Sequence, residues 1–144
     1  MIRLAEAWTR SNRCFPASSS LRLVNREAGS GSRALLDRLL SEAGLSQTRV
    51  HGYDRFALGH LPAAFQILSK AADVCIATRS AAQTFGLDFI PLQSARYDLV
   101  MRKRTGDLPA VKAFLDVLQR ATLRRKLEVL AGYDTSQTGS VVAQ

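Results

Sequence analysis

Apolar residues change their period several times along this chain, and each change marks an element. "LRLVN", residues 21–25, alternates apolar and polar side chains and predicts a strand. From Leu35 the period lengthens: Leu35, Leu36, Leu39, Leu40 and Ala43 share one helical face, with Ser30 or Ser32 placed to cap it and Gly44 to end it. "TRVHGYD" (48–54) predicts a second short strand. A helix follows near Leu61–Pro62, where the missing Pro62 N–H costs nothing, and it buries Ala64, Phe65, Ile67, Leu68 and Ala71. "DVCIAT" (73–78) is apolar almost throughout, as a strand buried on both faces would be. Ser80 is placed to cap a short helix closed by Gly86, and "DFIPL" (88–92) and "YDLVM" (97–101) predict two further strands.

The longest predicted helix, 109–131, opens at Asp107 and Pro109 and ends at Gly132. Val111, Phe114, Leu115, Leu118, Leu123, Leu127 and Leu130 recur along it at helical spacing. Residues 133–144 are polar and are expected to fray. At the other end, residues 1–20 start with a helix-like pattern at Leu4, Ala5 and Trp8, then enter the serine-rich linker "SNRCFPASSS". Strands alternating with helices predict an α/β layered fold, a largely parallel sheet flanked by helices. There is no internal repeat.

At 144 residues, 47% hydrophobic and 22% charged, the chain is one ordinary globular domain. It has no apolar run of membrane-spanning length, and charge interrupts the region after Met1, which argues against a secretory signal. The expectation is a cytoplasmic protein without membrane contact. The formal charge of +8 favours an anionic partner. The cations are dispersed, mostly arginine, and not interleaved with aromatics, so any nucleic-acid binding by this chain alone should be weak and salt-dependent. Cys14 and Cys75 have no neighbouring ligands at metal spacing, so no metal site is expected. Cys75, inside "VCIAT", reads as a small packed hydrophobe, and a disulfide is not expected in a reducing compartment.

One stretch, "NREAGSGSRALLDRLL" (25–40), passes from a strand through small residues into a helix. Unpaired N–H groups at a helix start, its dipole, the Ser30 and Ser32 hydroxyls and the nearby Arg26 and Arg33 would all favour a bound oxyanion. The plain alternative is a tight glycine turn with a capping serine and no ligand. A third reading takes Gly29–Ala34 as a relaxed dinucleotide fingerprint. Against it, four residues, Asn25 to Ala28, separate the predicted strand from the first glycine. Nor does an acidic residue stand about twenty residues on. Only an NADP-binding version through Arg49, an oxidoreductase fragment, survives. A phosphate-binding P-loop is excluded because no Gly-Lys-Ser/Thr follows. His51 and His60 have no nucleophile or carboxylate at a telling spacing. Tyr53, Tyr97 and Arg79 could line a cleft at strand ends or be ordinary loop residues. No catalytic constellation emerges, so an enzyme is not expected.

Taken in order, "LVNREAGSGSRALLDRLLSEAGL", "GYDR", "GHLPAAFQILSKAADVCIATRSAAQTFGLDFIPLQSARYDLV" and "LAGYDTSQTG" resemble a periplasmic-binding-protein-like domain associated with molybdate binding. The match spans about residues 21–139. It implies a type 2 periplasmic-binding fold, in which two α/β lobes enclose a ligand cleft, and small-ligand sensing in place of catalysis. Such domains occur in prokaryotes behind helix-turn-helix modules or attached to molybdopterin-biosynthesis proteins, which implies transcription regulation. Carried over by position, Asn25, Arg26, Gly29, Ser30, Gly31, Ser32 and Arg33 match the cleft-facing motif. His60 matches the helix-start histidine, and Tyr97 with Asp98 the returning strand. The implied ligand is an oxyanion, whether molybdate, tungstate, sulfate or phosphate, with no cofactor.

Two departures stand out. Lys70, Cys75 and Ala77 replace a more glycine-rich pattern, which implies a reshaped cleft wall and a ligand that need not be molybdate. The chain also starts midway through the expected domain, so the first lobe should be incomplete. On this reading residues 21–92 form the second lobe and 93–132 the return strand and closing helix. A helix stripe deprived of first-lobe strands would be covered in a homodimer. A helix-turn-helix module would belong to a longer gene product, and an interaction domain that has lost its ligand is the alternative function.

Overall fold

The computed structural model describes residues 21–140, so the readings at Trp8, Cys14 and the 1–20 linker lie outside the described residues. Two units divide the chain, Met1–Ile90 and Pro91–Gln144.

The first unit is built around one strand. β1 (Asn25–Arg26) pairs in parallel with β2 (Phe56–Ala57), in register Asn25 with Phe56 and Arg26 with Ala57. On its other side a parallel bridge joins Leu23 to Val74. The predicted strand at 21–25 is therefore real but regular further along, reaching Arg26. The predicted strand at 73–78 contracts to that single bridge. The extended stretch Leu23–Arg26, which includes β1, is buried on both faces, because successive side chains point opposite ways. Leu23 packs with Leu36, Leu40 and Tyr53, while Val24 packs with Ala57, Ala63 and Ala72.

Each parallel segment leads into a helix. After β1 comes α1 (Gly31–Glu42), after β2 comes α2 (His60–Leu68), and after Val74 comes α3 (Arg79–Thr84). Leu36 and Leu40 bring α1 onto the Leu23 side, and Ala63 brings α2 onto the Val24 side. Burial of Leu40, 1% exposed, is alone worth about 1.5–3 kcal/mol. An ion pair closes the other end of the sheet: Arg22 Nη2 lies 3.0 Å from Asp73 Oδ1, and Arg22 N donates to Asp73 Oδ2 at 2.8 Å.

Residues 48–54 are not a strand. Ser46 caps a 3-10 turn, Gln47–Arg49, and the chain then turns through Gly52 before entering β2. Gly52 has φ +89, and a Cβ there would collide with the Leu23 carbonyl oxygen, so only glycine fits so close to the strand. That closeness lets Leu23 N donate to His51 O at 2.8 Å and Asn25 N to Arg55 O at 2.7 Å.

The second unit departs most from the periodicity. No strand forms at 97–101, nor at 88–92 where the first unit ends, because no ladder partner stands beside either segment among the described residues. A short helix, α4 (Lys103–Gly106), precedes α5 (Pro109–Gln119), which has Pro109 in its first turn. The single helix expected over 109–131 is interrupted: Arg120 is extended (φ −69, ψ 132) and α6 (Ala121–Val129) starts after it. No helix breaker stands at that point. The break is fixed instead by long-range bonds, since Gln119 Nε2 donates to Gly139 O at 3.4 Å and Arg124 Nη2 to Thr138 O at 3.2 Å. Residues 133–140 are thus not a frayed tail. Thr135 is buried, its hydroxyl donating to Glu128 Oε1 at 2.8 Å. No helix among the described residues is long and apolar enough to cross a membrane.

Candidate functional site

Because β1, β2 and the Val74 segment run parallel, all three chains leave the sheet at the same end. The starts of α1, α2 and α3 therefore gather there, each presenting the positive end of a helix dipole. In open α/β sheets this carboxyl end of the strands is where ligands bind.

The first turn of α1 comes directly from the small residues after β1. Gly29, with φ +84, reverses the chain, and Ser30 caps the helix, its Oγ accepting from Arg33 N at 3.2 Å. Ser30, not Ser32, is the cap. Its own N–H donates to Glu27 O at 3.2 Å. The N–H groups of Gly31 and Ser32 have no acceptor among the described residues. Arg33 is half-buried, its guanidinium resting on the Tyr53 ring with Cζ 4.6 Å from the centroid.

Arg26 and His60 join this turn to the start of α2. Arg26 is 6% exposed and donates to both Glu27 oxygens, Nε to Oε2 at 2.8 Å and Nη2 to Oε1 at 2.9 Å. This fork holds the Glu27 carboxyl down at about 2, with the Gly59 N–H assisting. Most of the Arg26 charge is thereby met inside the protein. Its Nη1 lies 2.7 Å from His60 Nδ1. Since a guanidinium only donates, Nδ1 must accept, and the neutral ring then carries its proton on Nε2. Burial, followed by the Arg26 cation, pushes the His60 pKa below its ordinary value and keeps the ring neutral. Nε2–H has no partner among the described residues.

Gly59 is what allows this link. Its φ of +110 turns the chain from β2 into α2, and its N–H donates to Glu27 Oε2 at 3.4 Å. Asn25, though in the motif, faces inward: Nδ2 donates to Tyr53 O at 3.1 Å and Oδ1 accepts from Arg26 N at 2.9 Å. It braces the site and does not open onto it. Thr78, in place of Ser80, caps α3, its Oγ1 accepting from Ala81 N at 3.4 Å. Arg79 stacks over Phe89 at 4.8 Å. Cys75 is packed, and burial pushes its thiol up to about 11, which makes it an unreactive thiol. Tyr97 belongs to the second unit, on a stretch without regular structure, 81% exposed.

The structure thus brings together Arg26, Gly29, Ser30, Gly31, Ser32, Arg33 and His60 within one unit, with Asn25 behind them. Sequence reasoning missed Glu27 and Gly59. Glu27, next to Arg26, was readable as its counter-ion, whereas no local signal announces the bond from Gly59. Among the described residues no group of three or more His, Cys, Asp or Glu side chains could hold a metal.

The model of a PBP superfamily domain matches residues 15–119. An uncharacterized protein, YvgK, from Bacillus subtilis is 37% identical over 126 residues, covering 88% of this chain and 40% of its own length. An uncharacterized Clostridium pasteurianum protein, from the 5' region of a 2Fe-2S ferredoxin gene, is 34% identical over 111 residues, covering 76% of this chain and 98% of its own. The chain therefore spans under half of the first relative and nearly all of the second. No solved structure matches it at a significant level. With most of its length under the family model, the chain belongs to the PBP superfamily, a periplasmic-binding-protein-like domain whose kind points to ligand binding.

Proposed function

We propose that the chain binds a small oxyanion at the start of α1, of the class of molybdate, tungstate, sulfate or phosphate. The observation that carries this reading is the gathering of three helix starts at the carboxyl end of three parallel segments. Within it, Gly31 N–H, Ser32 N–H and His60 Nε2–H are donors without protein acceptors among the described residues. Arg33 adds a cation that forms no ion pair among the described residues and rests on the Tyr53 ring. Arg26, already paired with Glu27, acts behind His60 as the group that orients it. An oxyanion there would collect hydrogen bonds from donors fixed before it arrives, so little ordering accompanies binding.

In its regulatory form, the same reading makes this domain the sensor for a DNA-binding module in a longer polypeptide or a partner. Titration calorimetry with molybdate, tungstate, sulfate and phosphate tests the binding itself. Saturable binding by the wild type, weakened in Arg33→Glu, is the expected result. No binding of any of the four, or equal binding by the variant, would overturn the proposal and favour a domain that contacts a protein instead.

A further inference from the structure

Tyr53 makes more designed contacts than a core aromatic needs. Its ring belongs to the cluster of Leu23, Leu36 and Leu40 and is 8% exposed. Its carbonyl accepts from Asn25 Nδ2 at 3.1 Å, and its hydroxyl donates to Asp37 Oδ1 at 2.6 Å. Gln47 Nε2 reaches the same Asp37 oxygen at 3.2 Å. Burial, reinforced by Asp37, raises the phenol pKa, so the hydroxyl keeps the proton it donates. The ring is thus held by its backbone, its tip and its edges, and one face carries the Arg33 guanidinium.

The geometry of α1 gives this arrangement its meaning. Arg33 and Asp37 are four residues apart on one helix, the spacing at which opposite charges pair. Arg38 and Glu42, at the same spacing on the same helix, do so at 3.8 Å. No ion pair joins Arg33 to Asp37, and the Tyr53 hydroxyl takes the Asp37 carboxylate instead. We propose that Tyr53 is a positioning residue: its hydroxyl occupies Asp37 while its ring holds the Arg33 guanidinium at the first turn of α1, where an anion can use the charge. This rests on the oxyanion reading and adds to it the side chain that keeps the binding cation available.

The test uses Tyr53→Phe, which keeps the ring and releases Asp37, and the double variant Tyr53→Phe/Asp37→Asn, which removes the carboxylate that would capture Arg33. Affinity for molybdate and sulfate is measured by calorimetry, with thermal melts confirming that each variant is folded. Tyr53→Phe should weaken binding on the order of tenfold, and the double variant should recover most of that loss. A residue with a merely structural role would not be rescued by a second polar deletion. If the wild type binds both anions but Tyr53→Phe binds equally well, or its loss persists in the double variant, the positioning role is overturned and the oxyanion reading stands. If the wild type binds neither anion, both are overturned. Should Tyr53→Phe fail to fold, Asp37→Asn alone decides: affinity unchanged or raised supports the role, and affinity lost overturns it.

Discussion

The two units of this chain carry similar apolar periodicity but bury it to different degrees. In the first, Leu23, Leu36 and Leu40 are buried on one side of the extended stretch that leads into β1, and Val24 on the other. In the second, Thr135 is buried but no large apolar side chain is among the described residues. Phe114 and Leu130, both on the predicted stripe, are exposed, while Val111, Leu115, Leu118 and Leu127 are half-buried. The difference teaches that a stripe fixes which face of a helix is apolar and not whether anything covers it. Among the described residues a sheet covers the stripes of the first unit, and the second unit shows none. The donors of the proposed site stand on the better-packed first unit, as precise sites generally do.

The largest expected effect follows from the closest packing. Gly52→Ala would force a Cβ against the Leu23 carbonyl and should cost about 3 kcal/mol or more, a large share of a domain's net stability of about 5–15 kcal/mol. Circular dichroism melts of the variant would show it, and an unchanged melt would show that the turn can relax. Next in size, Leu40→Ala should cost about 2–5 kcal/mol. Val129→Ala, at a side chain 77% exposed, should stay within about 0.5 kcal/mol. Denaturant titration of the pair measures the contrast directly, and equal losses would remove the distinction between the units.

What could be read from the sequence follows the same division. The β1–turn–α1 segment was legible because cap, glycine and stripe lie within a few residues of one another. Ser30 and Leu40 are where local chemistry puts them. The 48–54 segment misled because Thr48, Val50 and Tyr53 are strand-favouring residues, while the demand at Gly52 comes from a chain segment nearly thirty residues away. Residues 97–101 are largely apolar and strand-prone but find no ladder among the described residues. The interruption at Arg120 lies between good helix formers and depends on bonds to residues 138 and 139, which no window of local sequence contains. At the site, the donors were legible and their internal bookkeeping was not. Glu27, adjacent in sequence, hints at the Arg26 pair, but nothing in the order of residues says that His60 takes the remaining Arg26 nitrogen.

Smaller effects concern charge within the first unit. Asp73 and Glu27 are both held down at about 2 by arginine partners. A carboxylate whose folded pKa is depressed contributes stability above its unfolded value and loses it as pH falls through the folded one. Stability should therefore decline from about pH 4.5 towards pH 2, and Asp73→Asn should flatten part of that decline in melts across the range. A decline confined to higher pH would point to other groups. Smallest is the behaviour of His60. Its ring should titrate below the usual histidine value in NMR, and the Arg26→Lys variant, which loses the planar donor fork, should shift that titration. An ordinary titration would mean that the ring is neither buried nor faced by Arg26 as described.

The claim that an anion sits on the first unit's gathered helix starts, and not on the dispersed cations of either unit, can be read residue by residue. Backbone amide NMR during titration with molybdate at physiological salt is the direct measurement. The account predicts saturable shifts concentrated at Gly31, Ser32 and Arg33 and at the His60 turn, with α6 and its Arg124, Arg125 and Lys126 unmoved. Shifts spread along α6, or growing without saturation over the whole basic surface, would contradict it.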